Sequence, residues 1–174
     1  MKRKSVRAKY KRHEAEVGKI LGMWWQNSPF LRAHGSGSAA TLSKGKVYHA
    51  GDLILPPDFP YCVECKSEGV PRNTTKAKII PWTLDTILRG GCKRFIGWWG
   101  QACRQADTIS KAPMVCFTRK CMPVYSAVYL DDLPRKLDGL TDSFVYLANY
   151  GSGPIIVMKL DCFISTYRRE DFFI

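Results

Sequence analysis

The chain has 174 residues, 45% of them apolar, with a formal charge of +12 at neutral pH. That length suits one domain built on one core, and no run approaches the roughly 18 uninterrupted apolar residues of a membrane span. The charge calls for an anionic partner, with nucleic acid the leading candidate.

The first twelve residues, MKRKSVRAKYKR, hold seven basic side chains: Lys2, Arg3, Lys4, Arg7, Lys9, Lys11 and Arg12. Such a run reads as a flexible arm, either merely solvated or binding phosphate by counterion release. No apolar stretch of an export signal accompanies it, so the expected location is the cytoplasm. Next, HEAEVGKILGMWW spaces Val17, Ile20, Leu21, Trp24 and Trp25 as one face of an amphipathic helix. NSPF breaks that helix, FLRAH reads as a short strand, and GSGSAATLSKGK is a loop ending in Lys44 and Lys46. VYHAGDLIL and PYCVECKS flank Pro56, Pro57 and Asp58, which predicts an antiparallel hairpin. Their nearly continuous apolar runs predict central strands covered on both faces.

Downstream, TLDTILRGG predicts a short helix and KRFIGWWGQACRQADTISK a longer one that packs through Phe95, Ile96, Trp99, Cys103 and Ala106. APMVCFTRK and PVYSAVYL predict a second strand pair, turning over residues 118 to 123. The tail holds a loop rich in Asp and Leu, the apolar run PIIVMKL and an aromatic end. This order predicts an α/β fold, a single domain over residues 1–174 with a central mixed sheet flanked by helices.

Seven cysteines without an export signal point to reduced thiols. Cys62 and Cys65 form a C-x-x-C, but residues three apart on a strand face opposite ways, so burial as small apolar groups fits better than a shared metal.

The same alternation along YCVECKS puts Glu64 and Lys66 on one face and Val63 and Cys65 on the other. Asp52, on the neighbouring run, can reach the face of Glu64. Left unpaired inside a sheet, such charges cost several kcal/mol each. Two readings answer that cost. One is a salt-bridged cluster in which Lys66 pairs with Glu64 or Asp52. The other is a Mg²⁺ site, with Asp52 and Glu64 as hard oxygen ligands and Lys66 beside the attacked phosphate.

Asp52, a variable gap, and then Glu64-Cys65-Lys66 resembles the PD-(D/E)xK nuclease superfamily. EAEVGKIL, FLRAHGSGS, AGDLIL and CVECKS follow in the block order of archaeal-type Holliday junction resolvases and related phage endonucleases, and WWGQACRQA is similar to the phage members. The resemblance covers roughly residues 11 to 120. It implies a restriction-endonuclease-like nuclease fold with Mg²⁺ (or Mn²⁺) held by Asp52, Glu64, the Cys65 carbonyl and Glu14. Glu16 competes with Glu14, but the spacing to VGKIL favours Glu14. The resemblance further implies catalytic roles for Lys66 and for Ser36, beside the scissile phosphate. Between Arg32 and the lysines, GSGS reads as a phosphate-contacting loop rather than a plain linker, with Gly35, Gly37, Ser38 and His34 around Ser36. Gln101 reaches the site from its helix or is a solvated polar position.

One departure from the family pattern is Gly51 in the place of its proline. His13 and His49 read as structural or surface residues. Trp24, Trp25, Trp98 and Trp99, at helical positions, read chiefly as core or dimer packing, with base stacking the alternative. The expected activity is Mg²⁺-dependent cleavage of branched DNA, four-way junctions above all, by a homodimer; the alternatives are another nuclease of the same fold acting on duplex or flapped DNA, and a DNA-binding protein with an inactive site.

Overall fold

The computed structural model describes residues 4–33, 50–68, 82–119, 121–134, 146–150 and 153–173, with the side chains of residues 4–9 and 146–149 outside that description. The first helix, α1 (Lys4–Gln26), starts within the basic run. Residues 4–12, expected as a flexible arm, are thus helical. The predicted face is the buried one: Val17, Leu21 and Trp25 are fully buried, and Ile20 and Trp24 pack against the same core. Asn27, with φ of 58° in the left-handed region, ends the helix.

The chain then folds back along α1 on a track of glycines. The Phe30 amide donates to the Gly18 carbonyl at 2.9 Å and that of Ser28 to Gly22 at 3.3 Å. A Cβ on Gly18 would lie 2.5 Å from the Phe30 oxygen, and one on Gly22 2.1 Å from the Ser28 oxygen. Glu14, Gly18 and Gly22 are spaced four apart and share one helix face. The returning strand β1 (Leu31–Arg32) therefore runs back towards Glu14.

Strand β2 (Leu53–Ile54) pairs antiparallel with β1, Leu31 opposite Ile54. This corrects the expected hairpin, in which the Asp52 run was to pair with the Glu64 run. The link that remains is one backbone bond of 2.9 Å from the Asp52 amide to the Val63 carbonyl. Gly51 explains the switch: its φ is +84°, and a Cβ there would meet the Val63 oxygen at 2.5 Å. The chain kinks over the next strand instead of laddering with it. Proline, locked near −65°, cannot take that conformation. The loop that follows is pinned: Asp58 accepts from Trp25 Nε1 at 3.3 Å and from Arg169 at 2.8 Å, and Lys111 donates to the Pro57 and Phe59 carbonyls.

The main sheet has five strands in the order β3-β4-β5-β7-β6. Its members are β3 (Tyr61–Glu68), β4 (Ala112–Arg119), β5 (Tyr125–Tyr129), β6 (Tyr146–Tyr150) and β7 (Gly153–Lys159). β3 and β4 are parallel, with Glu64 opposite Val115, and the other pairs are antiparallel. The sheet is mixed, as expected, but β3 lies at its edge rather than its centre. Its apolar run reflects cover on both faces. Against one face pack α1 and the last helix, α4 (Leu160–Thr166). Against the other pack α2 (Leu84–Leu88) and α3 (Lys93–Asp107). Alternation sorts the side chains: Val63, Cys65, Met114 and Cys116 join the α1 core, and Val115 and Phe117 join the α3 core. β6 was missed in the Asp- and Leu-rich tail. All seven cysteines are free, and no helix among the described residues is long and apolar enough to cross a membrane.

Replacing Gly22 by Ala is expected to destabilise the protein by about 1 to 3 kcal/mol through backbone overpacking, despite the ~1 kcal/mol gain in helix propensity. Gly97→Ala, where a Cβ would meet nothing within 4 Å, should be neutral or stabilising. Urea denaturation of both variants checks this, and equal stabilities would contradict the glycine track.

Candidate active site

Asp52 and Glu64 reach one cleft of about 360 Å³ between α1 and α3, lined by Tyr10, Glu14, Cys65, Lys66, Ser67, Glu68, Trp98 and Gln101 as well. Asp52 follows the kink at Gly51, and its Oδ2 accepts from the Cys65 amide at 2.8 Å. That bond holds the carboxylate over β3 although the two runs do not pair as strands. Asp52 is 7% exposed and Glu64 2%.

From α3, Gln101 donates through Nε2 to Glu64 Oε1 at 2.7 Å and accepts from Lys66 Nζ through Oε1 at 3.0 Å. Lys66 also pairs with Glu64 Oε1. One amide thus holds both members of the ion pair. The ion-pair reading and the metal reading meet here, because Glu64 Oε2 remains buried with no partner. Burial, and then the negative charge of Asp52, push the Glu64 carboxyl up from 4.5 to about 7, against the pull of Lys66 and of the nearby Gln105 amide on α3.

These residues fit a small divalent cation. Two hard carboxylates share the cleft, and one buried oxygen has unused acceptor capacity. Among the described residues no group of three His, Cys, Asp or Glu side chains is placed to hold a cation by itself. A cation here would therefore rely on water and substrate phosphate to complete its shell, the usual habit of Mg²⁺.

Glu14 lines the cleft, whereas Glu16 is exposed on α1. Arg32 Nε donates to Glu14 Oε2 at 2.5 Å. Arg32, which precedes the expected phosphate-contacting loop, thus braces an acid of the cleft. His13 is buried, with Nε2 3.4 Å from the Cys116 carbonyl oxygen, and burial lowers its pKa. The thiols of Cys62 and Cys65 belong to different clusters, Cys62 with Ala50 and Ala106 and Cys65 with the α1 core.

Lys2, Arg3, His34, Ser36, Ser38, Lys44, Lys46 and His49 lie outside the described residues, as do Gly35 and Gly37. Lys4, Arg7 and Lys9 are on α1 with their side chains outside the description, and Lys11 and Arg12 are exposed there. Sequence reasoning missed Glu68. It is two residues beyond Lys66, so strand alternation turns it to the same face. Arg94 pairs with its Oε1, while Oε2 is buried without a partner. Tyr10 and Trp98 were also not assigned to the cleft.

Fold and cleft together describe an α/β protein whose buried acids at the sheet edge line a cleft between two helices. A family model described as "Phage putative PDDEXK endonuclease" matches residues 5–173, and the chain belongs to that family. No match was found among curated proteins or solved structures.

The raised Glu64 carboxyl gives a pH dependence. Between about 4.5 and 7 the folded protein holds a proton that the unfolded chain has released, so stability falls as pH rises through that window. For the metal-free protein the Glu64 contribution to this fall is up to about 3 kcal/mol. Chemical denaturation from pH 4.5 to 8 should show the slope, and Glu64→Gln should flatten it; an unchanged slope in the variant would contradict the assignment.

Proposed function

We propose that this protein is a divalent-metal-dependent DNA endonuclease that hydrolyses phosphodiester bonds in branched DNA, four-way junctions above all, as a homodimer. The observation that carries the reading is the convergence of Asp52, Glu64 and Lys66 on one open cleft, with Glu64 Oε2 buried and unpartnered. Family membership supports nuclease chemistry, and the ordered sequence blocks favour the branched substrate.

Asp52 and Glu64 would hold Mg²⁺ or Mn²⁺, with the Cys65 carbonyl as a further ligand and Glu14 beside them. When bound, the cation supplies Lewis-acid stabilisation of phosphate charge and a more acidic water. The other residues do the positioning. The Cys65 amide orients Asp52, and Gln101 orients Glu64 and Lys66 together. Arg32 keeps Glu14 at the cleft. Lys66, 22% exposed, offers a positive charge to the oxygens that gain negative charge as water adds to phosphorus and the leaving oxygen departs. The basic residues beginning α1, with the lysines before Asp52, would contact DNA backbones and read shape rather than sequence. A two-fold dimer would bring two equivalent clefts to a junction that needs paired nicks.

The test is cleavage of a four-way junction, a flapped duplex and a linear duplex of matched sequence, with Mg²⁺ or with chelator. Mg²⁺-dependent cutting is expected, fastest on the junction. Asp52→Asn and Glu64→Gln should each reduce it at least about a hundredfold while junction binding persists. Equal cutting of linear duplex would remove the junction preference and keep the nuclease. No cleavage of any DNA with any divalent ion would leave a DNA-binding protein.

A further inference from the structure

We infer that Tyr10 and Trp98 form aromatic walls that take an unstacked base beside the phosphate to be cut, so that the preferred substrate is DNA with a break in base stacking at that point. The substrate part of this inference rests on the nuclease reading above.

The two rings reach the cleft by the same device. Tyr10 stands four residues before Glu14 on α1, and Trp98 three before Gln101 on α3, so each lies on the face of its helix that supplies a polar residue to the site. Both line the cleft that holds Asp52, Glu64 and Lys66. Their settings differ usefully. Trp98 is half-buried, its ring centroid 6.5 Å from that of Phe95 and 6.2 Å from that of Phe117, which makes it a fixed wall. Tyr10 is 44% exposed, and among the described residues nothing stacks on it or hydrogen-bonds to it.

Charge explains why such walls are useful. The cleft collects Glu14, Asp52, Glu64 and Glu68 around Lys66. Arg32 and Arg94 pair with Glu14 and Glu68, which leaves Asp52, Glu64 and Lys66 facing the strand; these give a phosphodiester no net attraction until a cation intervenes, so beside the phosphate to be cut the grip of the basic start of α1 needs a second source. Aromatic faces supply it, because every base has a face to stack and stacking is indifferent to sequence. A base within a continuous duplex has both faces covered. Exposing one is least costly where pairing or stacking is already interrupted, as at a bulge, a gap or a branch point.

The experiment uses the full chain with Ca²⁺ in place of Mg²⁺, and DNA carrying the fluorescent base 2-aminopurine either unpaired in a one-nucleotide bulge or paired in continuous duplex. The wild-type protein is expected to quench the bulged probe and to bind it about tenfold more tightly than Tyr10→Ala does. Tyr10→Phe should restore both quenching and affinity, and the paired probe should not distinguish the variants. Trp98→Leu should weaken quenching similarly. Tyr10 is exposed, so its variants carry the test even if the Trp98 variant is poorly folded by circular dichroism. Failure of the wild-type protein to quench the bulged probe, or full quenching by Tyr10→Ala, would overturn the inference. Quenching that depends on Tyr10 in a protein that cuts nothing with Mg²⁺ would uphold the aromatic site and remove the nuclease.

Discussion

Two carboxylates held close together with little access to water constrain everything around them. Asp52 and Glu64 repel one another in the cleft, and burial adds to the cost of their charge. Lys66 offsets only part of it, since it reaches one oxygen of Glu64 and leaves the other buried without a partner. A stable fold gains nothing from that arrangement, because apolar residues of similar volume would pack there at lower cost. The cation proposed above would account for it, and strain at such a centre must be supported by the surrounding structure.

The support is visible residue by residue. Gly51 kinks the chain so that Asp52 meets the Cys65 amide, and Trp25, Arg169 and Lys111 pin the loop that joins the two acids. On the other side of the cleft, Gly18 and Gly22 let the chain return along α1 until Arg32 meets Glu14. From α3, Gln101 ties Glu64 to Lys66. The aromatic packing beneath these elements, from Trp25 and Phe59 on one face to Phe95 and Phe117 on the other, makes the platform stiff. The site is thus assembled from α1, β3, α3 and the segment around Gly51, which are distant in sequence.

Much of this was legible in the residues because it depends on periodicity. Alternation in YCVECKS separated Glu64 and Lys66 from Val63 and Cys65, and helical spacing found the buried face of α1. The placement of Glu14 rather than Glu16 in the cleft follows from the same helical geometry. What escaped depends on backbone conformation or tertiary environment. The partner of β2 hinges on one positive φ at Gly51, which no apolar pattern encodes. An edge strand covered on both faces carries the same apolar run as a central one, so β3 was misplaced. The basic charge at the start of α1 suggested a solvated arm, although Lys and Arg are good helix formers. β6 was hidden because its residues, YLANY, follow a stretch of Asp and Leu that reads as loop. Trp98 serves core and cleft together, and sequence distinguishes those roles poorly.

The central claim, that Asp52 and Glu64 share one cation, is tested most directly by titrating the metal-free protein with Mn²⁺ and following free ion by electron paramagnetic resonance. The account predicts one tight site per chain, lost in both Asp52→Asn and Glu64→Gln and kept in Lys66→Ala. Undiminished binding in either carboxylate variant would contradict it.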